Sequence, residues 1–87
     1  MTPSEVAAWM LAEVERDGVL YQDEAVYEIE RRFGEKFTYT NDRGNPAIRQ
    51  DVLAAFRIVS EDTVVWERGE RLWRKREKPD EPGRQQQ

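Results

Sequence analysis

Two glycines divide the first half of the chain into two short segments with the periodicity of amphipathic helices, and this division limits the fold more than any other feature. Gly18 follows the first segment and Gly34 follows the second. Glycine directly after such a segment is typical of a helix C-terminus. The sequence therefore predicts helices over about residues 3–17 and 22–33. The side chains expected to face the core are Ala7, Met10, Leu11 and Val14 in the first helix, and Val26, Ile29 and Phe33 in the second.

The start of the first helix has a clear signal. Thr2-Pro3-Ser4-Glu5 fits a capping box, with Thr2 as the N-cap, proline at the first helical position and Glu5 reaching back. Between the two helices, Val19-Leu20-Tyr21 is a short apolar segment. We interpret these three residues as an apolar connector that lies under the domain.

A short strand and a third helix are predicted in the middle of the chain. Residues 37–40 alternate with period two and are rich in strand-forming side chains, and residues 41–44 are typical of a turn. Asn45-Pro46 has the cap-then-proline pattern of a helix start. This helix is expected to run to about residue 59, with an inward stripe made of Ile48, Val52, Phe56 and Val59, and with Leu53 beside it.

The C-terminal part of the chain predicts a β-hairpin. Residues 63–67 and 70–75 are strand-like and meet around Gly69. A two-residue loop would oppose Glu67 to Glu70, which is an unfavourable like-charge pair. We therefore prefer a three-residue loop, which pairs Glu67 with Arg71 and Trp66 with Leu72.

The predicted order is helix, helix, strand, helix, strand, strand, which belongs to the α+β class. Three helices packed on a small antiparallel sheet with a C-terminal β-hairpin form a winged-helix-like architecture. Winged-helix domains usually have their first strand between helices one and two, whereas the strand predicted here lies between helices two and three. We assign residues 1–78 to a single domain. Residues 79–87 contain two prolines and no apolar residue, so we expect a disordered tail.

Several short stretches along the chain are similar to one known family. They are Ala25-Val26-Tyr27-Glu28-Ile29-Glu30, Phe37-Thr38-Tyr39, Gly44-Asn45, Val52-Leu53, Ala55-Phe56-Arg57 and residues 63–71. Over roughly residues 2–84, the chain resembles a family of short bacterial proteins known only as a domain of unknown function. The resemblance implies no particular activity, because the family has none assigned.

The absence of certain residue types excludes several classes of function. The chain has no cysteine and no histidine, so thiolate zinc sites and the commonest general base are unavailable. Asn41, Asp42, Asn45 and Asp51 place oxygens near one turn, but their spacing differs from that of a calcium loop. We therefore expect a non-enzymatic protein without metal or cofactor. No apolar run approaches the ~20 residues of a membrane span and no signal peptide precedes the first helix, so a bacterial cytoplasmic location is expected.

Charge is distributed unevenly along the chain. Residues 68–87 hold seven basic and four acidic side chains, a net charge of +3, whereas residues 1–67 have a net charge of −7. Basic side chains beside a tryptophan can contact phosphates or an acidic protein surface, and they can also be simply solvated. We expect the hairpin to be the surface that binds a partner protein, through Arg68, Arg71, Trp73, Arg74, Lys75 and Arg76.

Nucleic acid is the alternative partner. Arg49, Gln50 and Arg57 are expected on the outward face of the third helix, where arginine and glutamine can contact base edges. Asp51 lies among them, and the acidic body opposes the approach of a polyanion, so we favour a protein partner. A homodimer is a further possibility if Trp9 and Tyr27 are exposed together.

Overall fold

Three helices and several short strands form the protein, as the sequence predicts for an α+β fold with a C-terminal hairpin. The computed structural model describes residues 1–77 and the backbone of residues 85–86. The helices are α1 (Pro3–Asp17), α2 (Gln22–Phe33) and α3 (Gln50–Ser60), and a 3-10 turn covers Glu35–Phe37. The strands are β1 (Val19–Tyr21), β2 (Thr38–Thr40), β3 (Pro46–Ile48), β4 (Val64–Glu67), β5 (Leu72–Lys75) and β6 (Gln85–Gln86).

The ends of α1 confirm the predicted capping. The Thr2 hydroxyl oxygen accepts a hydrogen bond from the Glu5 backbone N–H at 3.2 Å, and the Thr2 hydroxyl donates to the Glu5 carboxylate at 3.3 Å. At the other end, Gly18 has a φ of 85° and its N–H donates to the Val14 carbonyl at 2.7 Å. Both predicted helix boundaries, residues 3–17 and 22–33, are confirmed.

The segment Val19–Tyr21, which we interpreted as a connector, is a strand. It pairs antiparallel with β5, so that Leu20 lies opposite Trp73. Leu20 is buried while Val19 and Tyr21 are exposed, which is the alternation of a sheet with one covered face. The strand order of the main sheet is β1-β5-β4-β6. A strand therefore does lie between the first and second helices.

The predicted start of the third helix is also wrong. Pro46–Ile48 is strand β3, which pairs with β2 in a separate two-stranded sheet, and α3 begins at Gln50. The side chain of Asn41 determines this local structure, because its oxygen accepts hydrogen bonds from the N–H groups of Arg43 and Asn45, each at 3.0 Å. Asparagine next to proline thus belongs to a hairpin turn here, a role for which asparagine is as well suited as for helix capping.

One face of α3 packs on α1 and on the main sheet, but the inward stripe differs from the predicted one. Val52 and Phe56 are buried as expected, and Ile48 is buried from β3 and not from the helix. Val59 is 48% exposed, and the buried position belongs to Ser60, whose hydroxyl donates to the Phe56 carbonyl. Because the helix starts four residues later than predicted, its inward face could not be aligned from Ile48.

The hairpin of β4 and β5 has a longer loop than predicted. Trp66 lies opposite Trp73 and Glu67 lies opposite Leu72, which leaves residues 68–71 as a four-residue loop. The left-handed position is held by Arg71, with a φ of 57°, and its N–H donates to the Glu67 carbonyl at 2.8 Å. Our preferred register assumed that Gly69 controls the turn, and it is therefore wrong.

Most of the predicted tail, residues 79–84 and 87, lies outside the described residues. Within it, Gln85–Gln86 form β6, which runs parallel to β4 along the edge of the main sheet.

An ion cluster lies on the exposed side of α2. The Glu28 carboxylate accepts hydrogen bonds from Arg31, one of them at 2.9 Å, and from Arg32 at 2.9 Å. These bonds, with that from Arg31 the larger cause, lower the pKa of Glu28 from 4.5 to about 2. The pKa of Arg31 is raised by the same hydrogen bond.

We predict that Phe56→Ala lowers the free energy of unfolding by about 3–5 kcal/mol, because Phe56 is fully buried and meets the edge of Trp73 at a ring-centroid distance of 5.4 Å. Denaturant melts measure this loss. Ile58→Ala on the exposed face of the same helix is the matched control and should stay within about 0.5 kcal/mol of the parent chain. A loss of less than about 1 kcal/mol for Phe56→Ala would contradict the packing described here.

The pKa of Glu28 gives a second prediction. Because folding lowers this pKa, the stability gained from the cluster is fully present above about 4.5 and is lost as the pH falls toward about 2. A carbon-detected NMR titration should find a Glu28 carboxyl midpoint near 2. Replacing both Arg31 and Arg32 by glutamine should return the midpoint toward the ordinary value, whereas a midpoint that is ordinary in the parent chain would contradict the ion cluster.

Candidate functional site

The hairpin residues that we expected to bind a partner do not form one exposed cluster. Trp73 is 5% exposed and lies in the core, with its ring centroid 4.9 Å from that of Trp66. Arg74 lies across the hairpin from Glu67, with its Nη2 donating to the carboxylate at 2.8 Å. The buried Trp73 and the paired Arg74 stabilise the hairpin itself, and they present little charge or apolar surface to a partner.

Arg71 connects the hairpin loop to the start of α2. Its guanidinium donates to the side-chain oxygen of Gln22 at 3.2 Å, and its carbonyl accepts from the Gln22 N–H at 3.0 Å. The left-handed backbone of a residue with a Cβ costs roughly 1–2 kcal/mol, and these two contacts help to offset that cost. Arg71 thus keeps its charge at a fixed place beside α2.

The remaining hairpin cations are separated from one another. Arg68 is exposed in the loop, whereas Lys75 is exposed at the opposite end of β5. Arg76 is half-buried, and its backbone N–H donates to the Thr63 carbonyl at 2.8 Å. A continuous basic surface along this hairpin is therefore not present.

The three residues considered for contact with nucleic acid are all exposed around α3. Arg49 precedes the helix, where it donates to the Lys36 carbonyl at 3.2 Å and lies 3.6 Å from the Asp51 carboxylate. Gln50 lies in the first turn and Arg57 near the C-terminal end. Asp51 is thus close enough to offset part of the charge of Arg49.

An exposed apolar stripe on α3 was missed by our sequence reasoning. Ala54 and Ile58 are exposed and four residues apart, and Val59 lies beside Ile58 on the helix. Ala55, four residues before Val59, is half-buried against the core and forms the margin of the stripe. Ile58 is 77% exposed and Val59 is 48% exposed. The signal was present in the sequence, because a helix with Val52 and Phe56 inward must place Ile58 outward; our assignment of Val59 to the core obscured it.

Tyr27 is the most exposed aromatic side chain of the described residues, at 66%, and it projects from the middle of α2. Two clefts lie beside it, of about 550 Å³ and about 430 Å³. Trp9 does not join this surface: it is half-buried, with Phe33 edge-on at 6.0 Å and the Arg32 guanidinium 5.6 Å from its ring centroid. The two aromatic side chains are therefore not exposed together.

Neither a metal-binding cluster nor a membrane-spanning helix is found in the described part of the chain. No group of three or more aspartates or glutamates within residues 1–77 is arranged to hold a metal ion. Among the helices that the structure describes, none combines the length and the apolar character needed to cross a membrane.

Comparison with known proteins gives a family and no activity. The profile of DUF6953, described as a family of unknown function, matches residues 2–75, which include all three helices and the strands from β1 to β5. No curated protein and no solved structure gives a significant match to the chain. Since the profile covers most of its length, this chain belongs to DUF6953, a family of unknown function.

Proposed function

We propose that the protein is a non-enzymatic, winged-helix-like module of the bacterial cytoplasm that binds another protein through the exposed stripe of α3. The observation that carries this proposal is the exposure of Ile58 at 77% on a helix whose opposite face is fully buried. Single apolar side chains on a surface are ordinary. Here two exposed neighbours of Ile58 along the helix, Ala54 and Val59, extend it into a stripe, with the half-buried Ala55 at its margin.

Such a stripe has the spacing of a helix that docks against a partner. Burying the side chain of Ile58 would contribute about 1.5–3 kcal/mol, and the exposed Ala54 allows close approach of another element. Arg57 and Glu61 are exposed near the stripe and supply a polar rim of both charges. This composition supports a protein partner, because an interface core is apolar and poor in charge.

The hairpin has a smaller part in this proposal than in our sequence-based expectation. Arg74 is neutralised by Glu67, and Arg71 is bonded to Gln22. Arg68 and Lys75 remain exposed and can add contacts at the edge of an interface. We therefore place the main contact surface on α3 and leave the hairpin a supporting role.

A DNA-binding regulator of the winged-helix type is the second candidate. The strand between α1 and α2 and the strand order β1-β5-β4 favour it, because they match the usual arrangement of that architecture. Against it, residues 34–49 separate α2 from α3 and include a hairpin, whereas a helix-turn-helix has a turn of about 3–4 residues. The acidic body and the apolar stripe on α3 also oppose close contact with phosphates.

The protein-binding proposal predicts a position-dependent crosslink. A photo-crosslinking residue at position 58 should capture a discrete protein from nuclease-treated lysate of the native host. The same residue at position 12, on the exposed face of α1, is the matched control and should capture none. Ile58→Glu should abolish capture by a crosslinker at position 59 while leaving the melting temperature within about 4 °C. Equal capture from positions 58 and 12 would contradict the proposal.

The same proposal predicts weak binding to nucleic acid. Mixed-sequence duplex DNA should bind no tighter than about 100 μM at physiological salt, the weak end of the nonspecific range. The reason is that the net charge of −7 on residues 1–67 lies close to every exposed arginine. Fluorescence anisotropy of a labelled duplex measures this affinity. Micromolar binding that weakens with salt and is lost in Arg57→Glu would instead favour the regulator.

A further inference from the structure

The outward face of α2 has an aromatic side chain at its centre and two clefts of different charge beside it. Tyr27 lines both clefts. The smaller one, of about 430 Å³, is lined by Tyr27 together with Asp23, Glu24 and Glu28. The larger one, of about 550 Å³, also has basic side chains in its lining, Arg31 and Arg71. The smaller cleft is thus acidic, and the larger one is mixed.

The carboxylates of the smaller cleft differ in their partners. Glu28 is held by Arg31 and Arg32. Asp23 and Glu24 make no ion pair within residues 1–77, and both side chains are exposed. Their position in the first turn of α2 is favourable to the helix itself, because acidic side chains interact well with its N-terminal end. That stabilisation explains the two acids, but it does not explain why a tyrosine ring stands exposed one turn further on.

A cation fits this combination. A lysine or arginine side chain can lie with its stem along an aromatic ring and its charged group at the ring face. On the Tyr27 ring, that charged group would come beside the carboxylates of Asp23 and Glu24. In the larger cleft the charges of Asp23 and Glu30 are offset by those of Arg31 and Arg71, and Arg71 is fixed there by Gln22. The charges therefore direct a basic group to the smaller cleft.

We propose that this face of α2 is a docking surface for a basic segment of a partner protein, with a lysine or arginine side chain of the partner across the Tyr27 ring. The surface lies on a different helix from the apolar stripe of α3, so the inference does not depend on the function proposed above. Phosphate-bearing partners are repelled by the same carboxylates, and the chemistry of the site selects a polypeptide with exposed basic side chains.

The direct test uses a fluorescein-labelled ten-residue peptide of alternating arginine and serine, with a citrulline-for-arginine peptide as the uncharged control. Anisotropy at physiological salt should show saturable binding of the arginine peptide and none of the citrulline peptide. Tyr27→Ala should weaken binding about 2- to 5-fold, because the cation–π contact is lost. Tyr27→Phe, which keeps the ring, should bind like the parent chain.

A matched pair of charge variants separates a site from general attraction to an acidic protein. Asp23→Asn with Glu24→Gln should weaken binding about 3- to 10-fold, the loss of two exposed ion pairs. Glu15→Gln with Asp62→Asn removes the same charge elsewhere, at two exposed positions, and should change the affinity less than about 2-fold, because salt screens distant charges. Circular dichroism melts confirm that every variant is folded.

Several outcomes would overturn the proposal. Equal weakening by the two charge pairs, or no effect of Tyr27→Ala, would mean that the peptide is attracted to the acidic body as a whole. Absence of binding by the parent chain below about 1 mM would exclude the surface as a docking site. Concentration-dependent dimerisation that disappears in Tyr27→Ala would assign the face to a second copy of this chain.

Discussion

The contact on which the rest of the structure depends is that of Trp73 with its neighbours. Trp73 lies on β5, the strand that is paired on both sides, with Leu20 of β1 opposite on one side and Trp66 of β4 on the other. Its ring meets the edge of Phe56 from α3 at 5.4 Å. The Trp73 side chain therefore lies where β1, β5 and β4 meet, and it connects the main sheet to helix α3. A chain of 87 residues has few apolar side chains of this size, so a large buried aromatic residue at this point accounts for much of its core.

Short-range signals in the sequence were sufficient to predict the elements whose boundaries are determined by residues a few positions away. The capping box at Thr2, the left-handed glycine at position 18 and the strand-like residues 63–67 each act over a few residues, and each predicted its element correctly. The same reasoning failed at β1, because three residues show no period of their own and the partner strand lies about fifty residues away. It failed again at Asn45-Pro46, where a turn and a helix start have the same residue preferences.

The candidate site could be predicted less well than the fold, because the roles of its side chains depend on the pairing register of the hairpin. Basic side chains beside a tryptophan suggested a binding surface, but the sequence does not show that Trp73 is needed in the core or that Glu67 neutralises Arg74. Both facts depend on the pairing register, and the register depends on a left-handed Arg71 where glycine would be the usual residue. An error of one residue in the loop moves every side chain of β5 to the other face of the sheet.

The side chains that an element buries in the core determine which side chains it leaves exposed for contact with a partner. The hairpin places its tryptophans inward and neutralises its central arginine, so its outer side has scattered charges and no apolar surface. Helices have more faces than strands, and here α2 and α3 each bury one face and leave an opposite face of distinct chemistry. On α3 that face is apolar around Ile58, and on α2 it is acidic around Tyr27. Under the two proposals above, the stripe on α3 would take an apolar partner segment and the face of α2 a basic one, so the two surfaces differ in chemistry as well as in the helix that carries them.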